Sequence, residues 1–195
     1  MKNNYDLQQE AARQFFLQYD MAEISRQHGL TLAEGFLRLR YCGEDYAIAQ
    51  SDGRILRADG SEAGFHEALP IYDLLTRWDG TAQPFGQWAT VYSLPHILQS
   101  GTARGPAATD GSTRLTESAF RAACGSFGTE VSSKADITYR LPIFGPVEAL
   151  AQYWRADEEF PAKLQLLWDR NIQAFLHYET IFYVAGHLAR RFGLE

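Results

Sequence analysis

Glu179 falls in a helical pattern with Phe175, Leu176, Phe182 and Tyr183 at three- and four-residue spacing, so a carboxylate shares one face with large apolar side chains. An unpaired buried charge is costly, so such a carboxyl either finds a partner or has its pKa raised. Paired, Glu179 is an internal salt bridge or an acceptor for loop backbone. Raised, it is an acid or base beneath a pocket lined by Tyr178 or Tyr183.

The second candidate is Asp157-Glu158-Glu159, three consecutive acids between two apolar runs. With Asp169 they would offer oxygens to a hard cation such as Mg²⁺ or Ca²⁺. No EF-hand spacing is present, and a strand of about seven residues puts Asp169 roughly 20 Å away. A solvated turn, with Phe160 and Pro161 tucked back into the core, is the reading the spacing favours, and no metal is assigned.

Trp88, Trp154 and Trp168 could line a site for a flat cofactor, although rings on strands more often form core. His28, His66, His96, His177 and His187 show no i,i+4 pair and no HExxH. His177 and His187 lie close to three turns apart on one helix, about 15 Å, too far to share one metal. There is no GxSxG elbow, no Cys–His signature and no P-loop ending, so neither nucleophilic nor phosphate chemistry is indicated. Cys124, inside a helical pattern, reads as a small packing residue.

These residues need elements to hold them. The spacing predicts a first helix over 5–19 with Ala12, Phe15, Phe16 and Tyr19 inward, then a short helix capped by Asp20 and ended by Gly29. Three short strands follow: Leu37–Tyr41, a run through Tyr46 and Ile48, and Ile55-Leu56, separated by turns at Cys42–Asp45 and Asp52-Gly53. A helix over 66–78 comes next. From Gly80 to Gly111 the chain holds five of sixteen glycines and three of seven prolines, too many breakers for a long element. Gln87–Tyr92 reads as a short strand, Leu94–Leu98 as a turn of helix, and 101–112 as a mobile surface loop.

A helix over 113–127 leads to alternating Ile137, Tyr139, Leu141 and Ile143, with Pro142 marking an edge position. Val147–Trp154 returns, Lys163–Trp168 forms a third strand, and a final helix capped by Asp169 or Asn171 runs to about Arg191. The expected fold is α+β: an antiparallel sheet, divisible into two βββα units, with helices packed on one side. One domain would span 1–195, with N-terminal helices in 1–30 and candidate halves at 35–100 and 113–195.

The last sixty residues resemble a bacterial family known as domain of unknown function 3786. The resemblance rests on Trp154-Arg155-Ala156-Asp157-Glu158-Glu159-Phe160-Pro161-Ala162, on Leu166-Leu167-Trp168-Asp169 and on Tyr178-Glu179-Thr180. Shorter echoes lie in Leu69–Leu75 and in Gly86-Gln87-Trp88. It implies a family found mainly in anaerobic bacteria, without an assigned activity. Some relatives carry a cysteine-rich iron–sulfur segment, which Cys42 and Cys124 alone do not supply.

Composition bounds the rest. A chain of 195 residues with 46% hydrophobic residues buries enough core to need no disulfide or metal staple. A net charge of -6, with 18 basic residues dispersed among 24 acids, argues against nucleic acid. The N-terminal stretch has no apolar signal core and no run is long enough for a membrane span, so a cytoplasmic, soluble protein with reduced thiols is expected. The functional expectation is a binding or accessory domain for a small molecule or protein partner, with no assigned cofactor. The alternative is an enzyme using Glu179 in an aromatic-lined pocket.

Overall fold

The computed structural model describes residues 4–95 and 110–194. Among the described residues, two antiparallel sheets and five helices make an α+β fold. Helices α1 (Asn4–Phe16) and α2 (Met21–His28) precede a four-stranded meander, β1 (Thr31–Ala33), β2 (Phe36–Tyr41), β3 (Glu44–Ala49) and β4 (Ile55–Arg57). Helix α3 (Phe65–Arg77) follows. The second sheet holds β5 (Trp88–Thr90), β6 (Asp110–Ser112), β7 (Thr129–Glu130), β8 (Ile137–Phe144), β9 (Val147–Trp154) and β10 (Lys163–Asp169), with α4 (Glu117–Gly125) before β7 and α5 (Tyr178–Arg191) last.

Local chemistry accounts for most boundaries. Asp20 caps α2 by accepting the Ala22 N–H, and Gly29 ends it in the left-handed conformation. Glu34-Gly35 and Cys42-Gly43 are two-residue hairpin turns in which both residues have positive φ. That is the turn whose twist matches paired strands. The first of these turns adds β1, a strand the apolar pattern alone did not announce.

Along β2 burial alternates strictly, with Leu37, Leu39 and Tyr41 inside and Arg38 and Arg40 outside. Leu37, Ile48 and Ile55 stand in register across three strands and are fully buried; each such side chain contributes roughly 1.5–3 kcal/mol. In the second sheet β9 is central, between β8 and β10. Its residues Val147, Ala149, Ala151 and Tyr153 face the core, which also takes Phe120, Trp168 and α5. The sheets meet where the Cys42 N–H donates to the Ile143 carbonyl at 2.9 Å, and α3 packs on α5.

Several expectations are corrected. The first helix stops at Phe16, its one buried residue, which packs on the Tyr72 ring of α3, and Phe15 and Tyr19 are exposed. The stretch 110–112, read as loop, is β6 and pairs with Lys163–Gln165, while 101–109 lies outside the described residues. Val91–Ser93 is a 3-10 turn; the helical turn expected through Leu98 falls partly outside the described residues, as does His96. Helix α4 is shorter than expected because Thr116 caps it, its hydroxyl accepting the Ala119 N–H. Pro142 lies beyond the reach of β7, which pairs only with Tyr139 and Arg140, so β8 is locally an edge.

The final helix is capped by His177, not by Asp169 or Asn171. A 3-10 turn at Ile172–Ala174 intervenes, and the His177 N–H is held by Asp73 Oδ2 at 2.6 Å. Cys42 and Cys124 are both buried free thiols. Burial raises both, Cys124 to about 12. Among the described residues no helix is long and apolar enough to cross a membrane.

Candidate binding cleft

Strand register decides which ring and charge share a face. Trp88 pairs with Asp169, and Leu167, two residues before Asp169, pairs with Leu150. Leu150 pairs with Arg140 and stands two residues from Glu148. Side chains alternate along strands, so Trp88, Asp169, Glu148 and Arg140 all project from one face of the second sheet. Trp168, paired with Ala149, projects from the other.

At the end of this face lies a cleft of about 350 Å³, walled by Pro84, Trp88, Pro146, Val147, Ile172 and Phe175, with Arg140, Glu148 and Asp169 as its charged members. Its volume sits near the lower end of small-molecule sites, roughly 300–1,000 Å³. The neighbouring Phe85 is 63% exposed.

Asp169 builds one wall. Its side chain is buried, and Oδ1 accepts the N–H groups of Phe85 at 3.0 Å and Asn171 at 2.8 Å. Oδ2 accepts those of Gly86 at 2.7 Å and Gln87 at 3.2 Å. The Arg170 N–H donates to the Gln87 carbonyl at 2.7 Å, and Asn171 Nδ2 donates to the Gln83 carbonyl at 2.8 Å. Four N–H dipoles on one carboxylate satisfy its charge and fix the 83–88 loop against β10. Asp169 is therefore a positioning group for Trp88.

Arg140 is bound differently. Its Nη1 lies 3.5 Å from Glu148 Oε2, an ion pair with no hydrogen bond between the two, and its side chain is 49% exposed. Among the described residues its guanidinium makes no hydrogen bond, and it lies at the cleft edge.

The predicted site residues are scattered. Glu179 is exposed, in the first turn of α5; its Oε1 accepts the Tyr178 hydroxyl at 3.1 Å and its Oε2 lies 3.9 Å from His177 Nδ1. The buried carboxylate expected there is not found, because α5 begins only at Tyr178 and turns Thr180 and Ile181 inward instead. Tyr183 packs edge-on against Phe65 and His66, away from the cleft. Trp154 is half-buried under the Lys163 ammonium, 5.1 Å from its ring. It stands six residues along β9 from Glu148, about 20 Å. Trp168 is core, 1% exposed. Of the three tryptophans only Trp88 lines the cleft.

The acidic turn is exposed. The Asp157 carboxylate accepts the N–H groups of Phe160 at 2.7 Å and Glu159 at 2.9 Å, which hold its pKa below the usual range. Phe160 is 65% exposed and does not enter the core. Among the described residues no three His, Cys, Asp or Glu side chains come together in a group that could hold a metal ion.

A buried carboxylate does exist elsewhere. Glu67 on α3 accepts the guanidinium of Arg57, the Tyr46 hydroxyl at 2.8 Å and the Gly64 N–H at 2.7 Å. Burial pushes its pKa up, and these donors outweigh burial to leave it lowered. Beside this network His187 is 5% exposed, and its Nε2 makes no hydrogen bond among the described residues. Burial lowers its pKa to about 4. Neither Glu67 nor Arg140 stood out in the sequence; only strand alternation, which put Arg140 on the outer face, gave a signal.

Two pairs of the pieces that carried the sequence resemblance pack together, while the Trp154–Ala162 block lies away from the cleft. Gly86-Gln87-Trp88 docks on Asp169 of Leu166-Leu167-Trp168-Asp169, and Asp73 of the Leu69–Leu75 segment holds the residue before Tyr178-Glu179-Thr180. No curated protein and no solved structure matches this chain. The family model described as Domain of unknown function (DUF3786) matches residues 20–191, and the chain belongs to that family.

Proposed function

We propose that this domain is a binding module that holds a small, flat ligand in the cleft beside Trp88. The observation that carries the reading is the cleft itself: an aromatic wall of Trp88 and Phe175 between two prolines, fixed by a carboxylate anchored on four backbone N–H groups. Rings present large contact area at low conformational cost, and a loop pinned before binding loses little further freedom. Of the carboxylates, only Glu148 lines the cleft without a hydrogen bond among the described residues, and it faces Arg140 at 3.5 Å. Asp169 and Glu67 are saturated by donors, and Glu179 is exposed outside the cleft. Binding without turnover fits this arrangement, and an accessory role is the reading it supports.

A nuclear magnetic resonance screen with indole, naphthalene, purine and pteridine fragments tests the reading. Shifts are expected at the Trp88 indole N–H and at the amides of 85–88 and 147–148, and Trp88→Ala should abolish them while Trp154→Ala leaves them intact. Shifts gathering instead on the groove around Arg38, Arg40 and Ala47 of the first sheet would sink it.

A further inference from the structure

We infer that the cleft selects a flat ligand bearing an anionic group, with Arg140 as the residue that reads the charge. The inference rests on the binding reading above and names its ligand class: a planar ring system carrying a carboxylate or sulfonate.

The argument is one of satisfied and open charges. Three ionisable side chains line the cleft. Asp169 is closed, since its two oxygens already accept four N–H groups at 2.7–3.2 Å. Glu148 and Arg140 face each other at 3.5 Å without a hydrogen bond, both partly exposed, at 33% and 49%. Compare Arg155, whose Nε and Nη2 both bond Glu117, at 2.7 and 3.1 Å. A guanidinium is a planar fork of five donors that matches a carboxylate or sulfonate through two parallel bonds. A loose, half-exposed ion pair is worth little, so an incoming anion that makes the paired geometry displaces Glu148 at small cost.

Register fixes the distances. Arg140 and Glu148 project from the same face as Trp88, on strands β8, β9 and β5, with β10 lying between β9 and β5. Strands are spaced about 4.8 Å apart and rise about 3.4 Å per residue, so Trp88 and Arg140, three strands and two residues apart, stand roughly 16 Å from each other at the backbone. Both side chains reach inward over that gap, leaving the span of a two- or three-ring body with an anionic substituent. A purely apolar ligand would leave the arginine unused, and a cationic one would meet it with like charge.

Two fluorescent probes that share one body separate charge from ring. 8-Anilinonaphthalene-1-sulfonate carries the anion, and N-phenyl-1-naphthylamine is the same skeleton without it. Titrated into the full chain, the sulfonate is expected to bind at least about tenfold more tightly. Arg140→Met should erase that advantage, weakening the sulfonate far more than the neutral probe, and Arg140→Lys should restore part of it. Glu148→Gln, which removes the competing carboxylate, should widen the advantage a few-fold. Trp88→Ala should weaken both probes together. Equal binding of the two probes, or an advantage that survives Arg140→Met, overturns the anion inference and leaves the cleft reading standing. If neither probe binds in a Trp88-dependent way, both readings fall.

Discussion

The Gly86 N–H donates to Asp169 Oδ2 at 2.7 Å, joining two residues 83 positions apart. That bond, with its three companions, turns a glycine- and proline-containing loop into one wall of a cleft. Replacing Asp169 by Asn keeps the shape and removes half the acceptors, since an amide nitrogen cannot accept the Gly86 and Gln87 N–H groups. Asp169→Asn is expected to cost about 2–4 kcal/mol, read by urea denaturation, with faster hydrogen exchange confined to 85–87. A change below half that, with unaltered exchange, would mean the loop is held by something else.

Glu67 and Glu179 should behave as opposites. Glu67 is 4% exposed and satisfied by Arg57, Tyr46 and Gly64, so Glu67→Ala takes the partner from the part-exposed Arg57 guanidinium, the buried Tyr46 hydroxyl and the Gly64 N–H. The expected loss is roughly 2–3 kcal/mol. Glu179→Gln, at an exposed helix start, should alter stability by no more than about 0.5 kcal/mol and leave probe binding untouched. Thermal melts of the two variants side by side decide the matter.

His187 should make stability fall on mild acidification. Burial first, then Arg191 and Arg190, lower its folded pKa to about 4, against the opposing pull of Glu67 and Glu44, while the Tyr41 ring packs 5.3 Å away. The unfolded chain, with an ordinary histidine pKa near 6.5, takes up the proton first. Stability contributed by neutral His187 is therefore full above pH ~6.5 and lost as pH falls toward 4, by about 3 kcal/mol at most. His28, also lowered by burial, acts in the same direction. Urea unfolding from pH 7 to 4 should show this slope, and His187→Gln should flatten it; an identical slope in the variant contradicts the assignment.

Gly43 is the least replaceable glycine of the first sheet. Its φ is +79°, and a Cβ there would sit 2.3 Å from Phe127 Cβ. Phe127 in turn lies under the Arg191 guanidinium, 4.1 Å from its ring, so the clash reaches α5. Gly43→Ala should cost at least about 2 kcal/mol from backbone strain and overpacking together, measurable as a lowered melting temperature. A neutral outcome would show that Phe127 can swing clear.

Much of the fold was legible because its signals are local. Asp20 and Gly29 bracket α2, Leu37, Leu39 and Tyr41 alternate, and Pro142 marks an unpaired edge; each depends on neighbours a few residues away. The family motifs were legible as well, and residues 20–191 bear them out. What the motifs do was not legible, because a carboxylate looks the same in sequence whether it meets water, a metal or a backbone N–H. Glu179 seemed buried only while its helix was taken to start near Asp169 or Asn171. The 3-10 turn at Ile172–Ala174 shifts the start and exposes it.

The sequence by itself determined most of the helices and strands, though not β1, β6 or the start of α5, since period and capping are properties of adjacent residues. Only the tertiary structure decided that Trp88 lines a cleft while Trp168 is core, although the two stand on neighbouring strands. Register sets that choice: pairing Trp88 with Asp169 puts it on the face opposite Trp168, and a one-residue slip of β5 would put both on the same face. Asp169 enforces the register by holding Phe85, Gly86 and Gln87 at its own end of the strand, a long-range contact between segments that no local pattern encodes.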